Sequence, residues 1–188
     1  MKKLFKAKIS TFSFVSIISF FFFVIFYKLF GVSRELLVAS LTFCVLFFHA
    51  CTDYHCGVTF DLVTYIFVPS LLLIRLYFGV DFFLQGLYSM FVALLSMLLI
   101  FLVCRGKSGA GDVFVASCLG CGCFGLLECA TCLYLSFLLG AVSGVALLLA
   151  KKITRQTKIP FAPFLFLGYA MGIVLTNVFS NMLSLLFG

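Results

Sequence analysis

From Phe82 to Cys104 the chain runs 23 residues without a charged side chain. A helix needs about 20 apolar residues to cross the hydrocarbon core of a bilayer. Comparable runs extend from Ile9 to Tyr27, Leu36 to Thr52, Phe60 to Phe78, Glu128 to Ala150 and Phe161 to Phe187. A shorter one, rich in small residues, extends from Asp112 to about Gly125 and reads as a short or tilted helix. In hydrocarbon every backbone N–H and C=O must find an internal partner, so such runs fold as helices. The expected fold class is therefore all-α, a polytopic membrane helix bundle of about seven transmembrane segments. Composition leaves little room for a soluble domain: 10% of residues are charged, against about 25% in soluble domains. The basic start of the first run looks like a secretory signal. Its apolar stretch is long, however, and no small-x-small cleavage site follows, so it is read as a retained anchor. Pro163 falls in the first turn of the last run, where proline is tolerated.

Charge orients these segments. The net charge of +7 could suggest nucleic acid, but the basic residues are confined to short clusters between apolar runs. These are Lys2, Lys3, Lys6 and Lys8; Arg105 and Lys107; and Lys151, Lys152, Arg155 and Lys158. Such clusters mark cytoplasmic loops and argue against a nucleic-acid partner. With the N-terminus in the cytoplasm, ten of the thirteen Lys and Arg residues lie on that side, and Lys28, Arg34 and Arg75 fall on the other. The same topology puts Asp53, in the loop up to Asp61, and Asp112 at one membrane face, with Glu128 on the far side.

Nine cysteines raise the question of metal. Cys118-x-x-Cys121-x-Cys123 and Cys129-x-x-Cys132 have ligand-like spacing. They lie in apolar sequence, where cysteine behaves as a small buried hydrophobe. His49, Cys51, His55 and Cys56 are denser, but zinc there would need a defined tetrahedral geometry. No metal and no cofactor is expected. Gly140-x-x-x-Gly144 is given no functional weight, because that pattern is frequent by chance.

Only six residues are acidic, which makes each one informative. An acid at the end of a membrane helix is costly and is a functional candidate by default. Asp112 ends Gly109-Ala110-Gly111-Asp112, and the two glycines let another backbone approach. Asp53 follows the run that ends at Thr52. Two carboxylates that share one proton can hydrolyse a peptide bond, since like charges a few ångströms apart do not both ionise cheaply. The bland alternative is that Asp112 caps the following helix and that Asp53, Asp61 and Asp81 are ordinary interfacial residues.

Three blocks resemble the type IV prepilin peptidase family of intramembrane aspartyl proteases. The first is Asp53-Tyr-His-Cys-Gly-Val-Thr-Phe-Asp61. The second is Gly106-Lys-Ser-Gly-Ala-Gly-Asp112, similar to the family's Gly-x-Gly-Asp motif. The third is Lys158-Ile-Pro-Phe-Ala-Pro-Phe-Leu, similar to its Ile-Pro-Phe-Gly-Pro-Phe-Leu segment. The resemblance covers roughly Leu36 to the C-terminus. It implies an N-terminal arm and anchor over residues 1–35 and a six-helix peptidase domain over 36–188. It further implies Asp53 and Asp112 as the catalytic pair, Gly109 and Gly111 as supports for close approach, and prepilin or pseudopilin substrates. The site would face the cytoplasm from a bacterial inner membrane. Asp61, the one extra acid on that face, is expected to contact substrate. Two departures stand out: Phe114 where the family often has Lys, and Thr59-Phe60 in place of Ile-Pro. Many family members carry paired Cys-x-x-Cys motifs in a cytoplasmic domain and methylate the new N-terminus. There is no room for that domain between the first two helices, so peptidase activity without methyltransferase activity is expected. Presenilin-like enzymes share Gly-x-Gly-Asp but have Tyr-Asp and Pro-Ala-Leu, where this chain has Thr52-Asp53 and Pro-Phe-Ala-Pro-Phe. A catalytically altered assembly factor and a small ion or proton transporter are the alternatives.

Overall fold

The computed structural model describes residues 21–57, 59, 61–103, 109–150 and 160–187, with backbone alone at 56, 181 and 183–187. The basic clusters at 2–8, 105–107 and 151–158, the start of the first apolar run, Val58 and Phe60 lie outside the described residues. Among the described residues the fold is entirely helical. The helices are α1 (Phe21–Phe30), then α2 (Arg34–Cys56), α3 (Asp61–Phe78), α4 (Val80–Val103), α5 (Ala110–Gly122), α6 (Leu126–Leu149) and α7 (Ala162–Phe187). Five are long and apolar enough to cross a membrane: α2, α3, α4, α6 and α7. This is a multi-pass helical membrane bundle. Its outer surface is apolar, with Tyr77, Leu99, Val103 and Leu149 among the most exposed side chains.

Local sequence sets the helix ends. Ser33 caps α2 by accepting the Leu36 N–H on its hydroxyl. Gly57 closes the same helix in the left-handed conformation, φ 64°, and donates to the Asp53 carbonyl. Glycine takes that conformation at little cost. The helix therefore runs to Cys56, and Asp53 sits inside its last turn rather than in the loop expected after Thr52. Nothing between Thr52 and Gly57 breaks a helix, so the end falls at the glycine. Asp112 is likewise not a cap. Gly109 holds the N-cap position of α5, and Asp112 lies within the first turn.

Helix α5 occupies the centre of the bundle, in contact with α2, α3, α4 and α7. Every side chain but Phe114 from Asp112 to Gly122 is buried. Small residues make this possible, as expected where packing rather than hydrophobicity holds helices together. A Cβ on Gly120 would fall 2.7 Å from Ala93 Cβ and 2.8 Å from Met90 Cα on α4. A Cβ on Gly122 would run into Thr42 of α2. Helices α6 and α7 come close together at Gly168 and Gly172 of α7. A Cβ at Gly168 would lie 2.6 Å from the Cys132 carbonyl oxygen, and one at Gly172 would lie 2.9 Å from Cys132 Cα. The first helix joins this core through rings: Phe22 and Phe43 stand 5.0 Å apart, and Phe43 and Phe166 4.8 Å.

Candidate active site

The site is built from the last turn of α2, the start of α3 and the N-termini of α5 and α7. Asp53 is 8% exposed and Asp112 7%. The two residues lie 59 positions apart in sequence, on α2 and α5, and are near enough for the charge of Asp53 to bear on Asp112. Two buried carboxylates near enough for one charge to bear on the other would titrate as a pair.

Asp53 is positioned by backbone. One oxygen of Asp53, Oδ2, accepts the N–H of Ala162 at 3.1 Å. Ala162 is the first residue of α7 and is fully buried. The first N–H groups of a helix have no internal partner, and the helix dipole makes that end positive, so a carboxylate is well matched there. Pro163 adds no competing donor, while Phe164 and Leu165 both donate to the Phe161 carbonyl. The Pro-Phe-Ala-Pro-Phe block thus presents Ala162 to Asp53 across 109 residues of sequence. Phe161 is anchored by stacking on Phe137 of α6 at 5.4 Å.

The two glycines of the second block differ in what they do. A Cβ on Gly111 would overlap the Thr59 hydroxyl and lie 3.4 Å from Asp61 Oδ1. The connection after Asp53 therefore rests directly on the first turn of α5. A Cβ on Gly109 would stand 3.2 Å from Asp112 Oδ2 and press on the carboxyl itself. Gly111→Ala is expected to destabilise the protein by about 1–3 kcal/mol, the usual cost of overpacking. Gly109→Ala should leave the melting temperature nearly unchanged. Thermal unfolding of the two purified variants checks this.

Asp61 opens α3 as an exposed acid beside Gly111. Three of the expected site acids are therefore at one end of the bundle. Phe114 packs edge-on against Tyr65 of α3, centroids 5.3 Å apart. One polar residue was not singled out for this site from sequence. His49, one turn before Asp53 on α2, is fully buried, with Nε2 3.2 Å from the Thr64 hydroxyl of α3. The i, i+4 spacing from Asp53 was its only sequence signal. His55 is exposed, so the two histidines of the His-Cys cluster point to different surroundings.

No family model matches the chain, and no solved structure matches it. Over 139 residues it is 29% identical to the prepilin leader peptidase/N-methyltransferase of Bacillus subtilis (strain 168), an alignment covering 74% of this chain and 56% of that protein. The chain thus spans little more than half the length of that relative. It is a multi-pass helical membrane protein and a distant, partial homologue of a prepilin leader peptidase.

Proposed function

We propose that the chain is a membrane-embedded aspartyl endopeptidase that removes leader peptides from prepilin- or pseudopilin-type substrates at the cytoplasmic face of a bacterial inner membrane. The observation that supports this most is that two carboxylates, Asp53 and Asp112, are buried on separate helices near enough for one charge to bear on the other. The distant relationship to a prepilin leader peptidase supports the substrate class.

The chemistry follows from one shared proton. The ionised carboxylate takes a proton from a water molecule, and the resulting hydroxide bonds to the scissile carbonyl carbon. The protonated carboxyl gives its proton to the carbonyl oxygen, which stabilises the tetrahedral intermediate. Collapse of that intermediate breaks the C–N bond, and the amine leaves with a proton returned through the pair. The hydrogen bond from Ala162 holds Asp53 in a fixed orientation throughout, which is where such catalysis gains its advantage.

Purified protein in lipid nanodiscs, given a prepilin-type substrate, is expected to release the leader as a single fragment. Ion flux in proteoliposomes with no cleavage would replace this function with transport. Asp61 is assigned to the basic leader. Asp61→Asn should raise KM roughly two- to five-fold, the worth of one exposed ion pair, and leave kcat within two-fold. Kinetics at low and high salt separate the two parameters.

A further inference from the structure

Arg75 lies in the last turn of α3 and is wholly buried. By charge count alone it falls on the far side, near the end of the Phe60–Phe78 run, yet the fold buries it. A buried guanidinium is expensive unless it is paired or well hydrogen-bonded. Among the described residues the one ion pair is Arg34 with Glu35. Arg75 is met by carbonyl oxygens instead. Nη1 donates to Phe82 at 2.9 Å and Nη2 to Cys123 at 2.7 Å. Its Cζ lies 4.4 Å from the Phe82 ring centre and 5.5 Å from that of Phe124, so the cation is also held by aromatic faces. Gly86 of α4 makes the space: a Cβ there would stand 2.6 Å from Arg75 Cδ and 2.8 Å from Nε and Nη1.

Two further side chains converge on the same turn. Tyr169 of α7 donates its hydroxyl to the Gly122 carbonyl at 3.3 Å. Glu128 of α6 accepts the Phe124 N–H. The consecutive residues Gly122, Cys123 and Phe124 are thus each tied by a different helix. They need it because α5 has 13 residues and is about 20 Å long, shorter than the roughly 30 Å hydrocarbon core. If Asp112 stands near one face, the C-terminus of α5 ends within the membrane. The last carbonyls of a helix have no internal partner, and lipid offers none. A cation at that end also complements the helix dipole.

We propose that Arg75 is the positioning residue for the acid pair. By capping the buried end of α5 it fixes the depth and rotation of that helix, and so where Asp112, roughly 16 Å along it, stands against Asp53. The kinetic part of this proposal rests on the peptidase function above; the geometric part does not. The test uses Arg75→Met, Arg75→Lys and Gly86→Ala, the last leaving the arginine in place but taking its space. Spin labels at Tyr54→Cys and Ala110→Cys, with solvent-reachable native cysteines replaced by serine, report the distance between the α2 and α5 ends of the site. Leader cleavage by unlabelled variants, normalised to folded protein, gives kcat and KM. Arg75→Met and Gly86→Ala are expected to shift or broaden the label distance and to lower kcat at least about ten-fold with KM within two-fold. Arg75→Lys should recover part of both. An unchanged distance in Arg75→Met overturns the proposal. So does a changed distance with unchanged kcat, which would make Arg75 a cap and nothing more. If the unmutated protein cleaves no leader, the peptidase function falls, and the label distance alone decides the role of Arg75.

Discussion

Asp53→Asn and Asp112→Asn are each expected to lower leader cleavage by about 10²–10⁴-fold, the range that a positioned acid or base supplies. The substitution is nearly isosteric. An asparagine at position 53 still offers a carbonyl oxygen to the Ala162 N–H, the bond that ties α2 to α7, so the fold should survive. An asparagine at 112 keeps the same volume in the first turn of α5. The protein should therefore be made and inserted at wild-type levels in both cases, with KM changed little and kcat lost. The double variant should be hardly worse than either single one, because groups that act as a unit are not additive. Single-turnover cleavage by the three purified variants checks this. Undiminished cleavage by either single variant would end the case for an acid pair.

Gly168→Ala is expected to be among the most destabilising single methyl additions at the described residues. Its Cβ would meet the backbone of Cys132 and Ser136, oxygen and nitrogen both 2.6 Å away. A flexible side chain could turn aside, but helix backbone cannot, so α6 and α7 must separate. Overpacking typically costs about 1–3 kcal/mol, and backbone against backbone should reach the top of that range. The damage would not stay local. Separating α7 from α6 moves Ala162, and with it the donor that orients Asp53. Lower thermal stability should thus come with lower cleavage per folded molecule. Gly125→Ala is the control, since a Cβ there meets nothing within 4 Å. Thermal unfolding in detergent, followed by activity at a temperature where both variants are folded, separates the two effects.

These two sites were legible in the sequence to different degrees. Asp53 and Asp112 stood out because acids are rare in this chain and each adjoins an apolar run. Gly168-x-x-x-Gly172 passed unnoticed, although it has the same pattern as Gly140-x-x-x-Gly144. The pattern says only that two small residues share a helix face. Which face meets a neighbouring backbone is decided by the other helix. Gly168 meets Cys132 and Ser136 closely, whereas Gly140 meets the edge of the Phe161 ring at 3.0 Å. Helix ends were displaced for a similar reason. Hydropathy marks where a run stops being apolar, but α2 stops where Gly57 can turn left-handed.

What the sequence determined by itself is local or additive: that the chain is helical, that its long runs can cross a membrane, and which few acids are worth attention. Each of these depends on hydropathy and charge within one stretch of about 20 residues. The tertiary structure alone decided what those acids and cations meet. It set the Ala162 N–H against Asp53, put α5 at the centre of the bundle, and made Arg75, a far-side charge by sequence, a buried cap on Cys123. Those partners lie 109 and 48 residues away in sequence. The energy of burying a charge depends on which groups surround it, and in this chain those groups come from other helices.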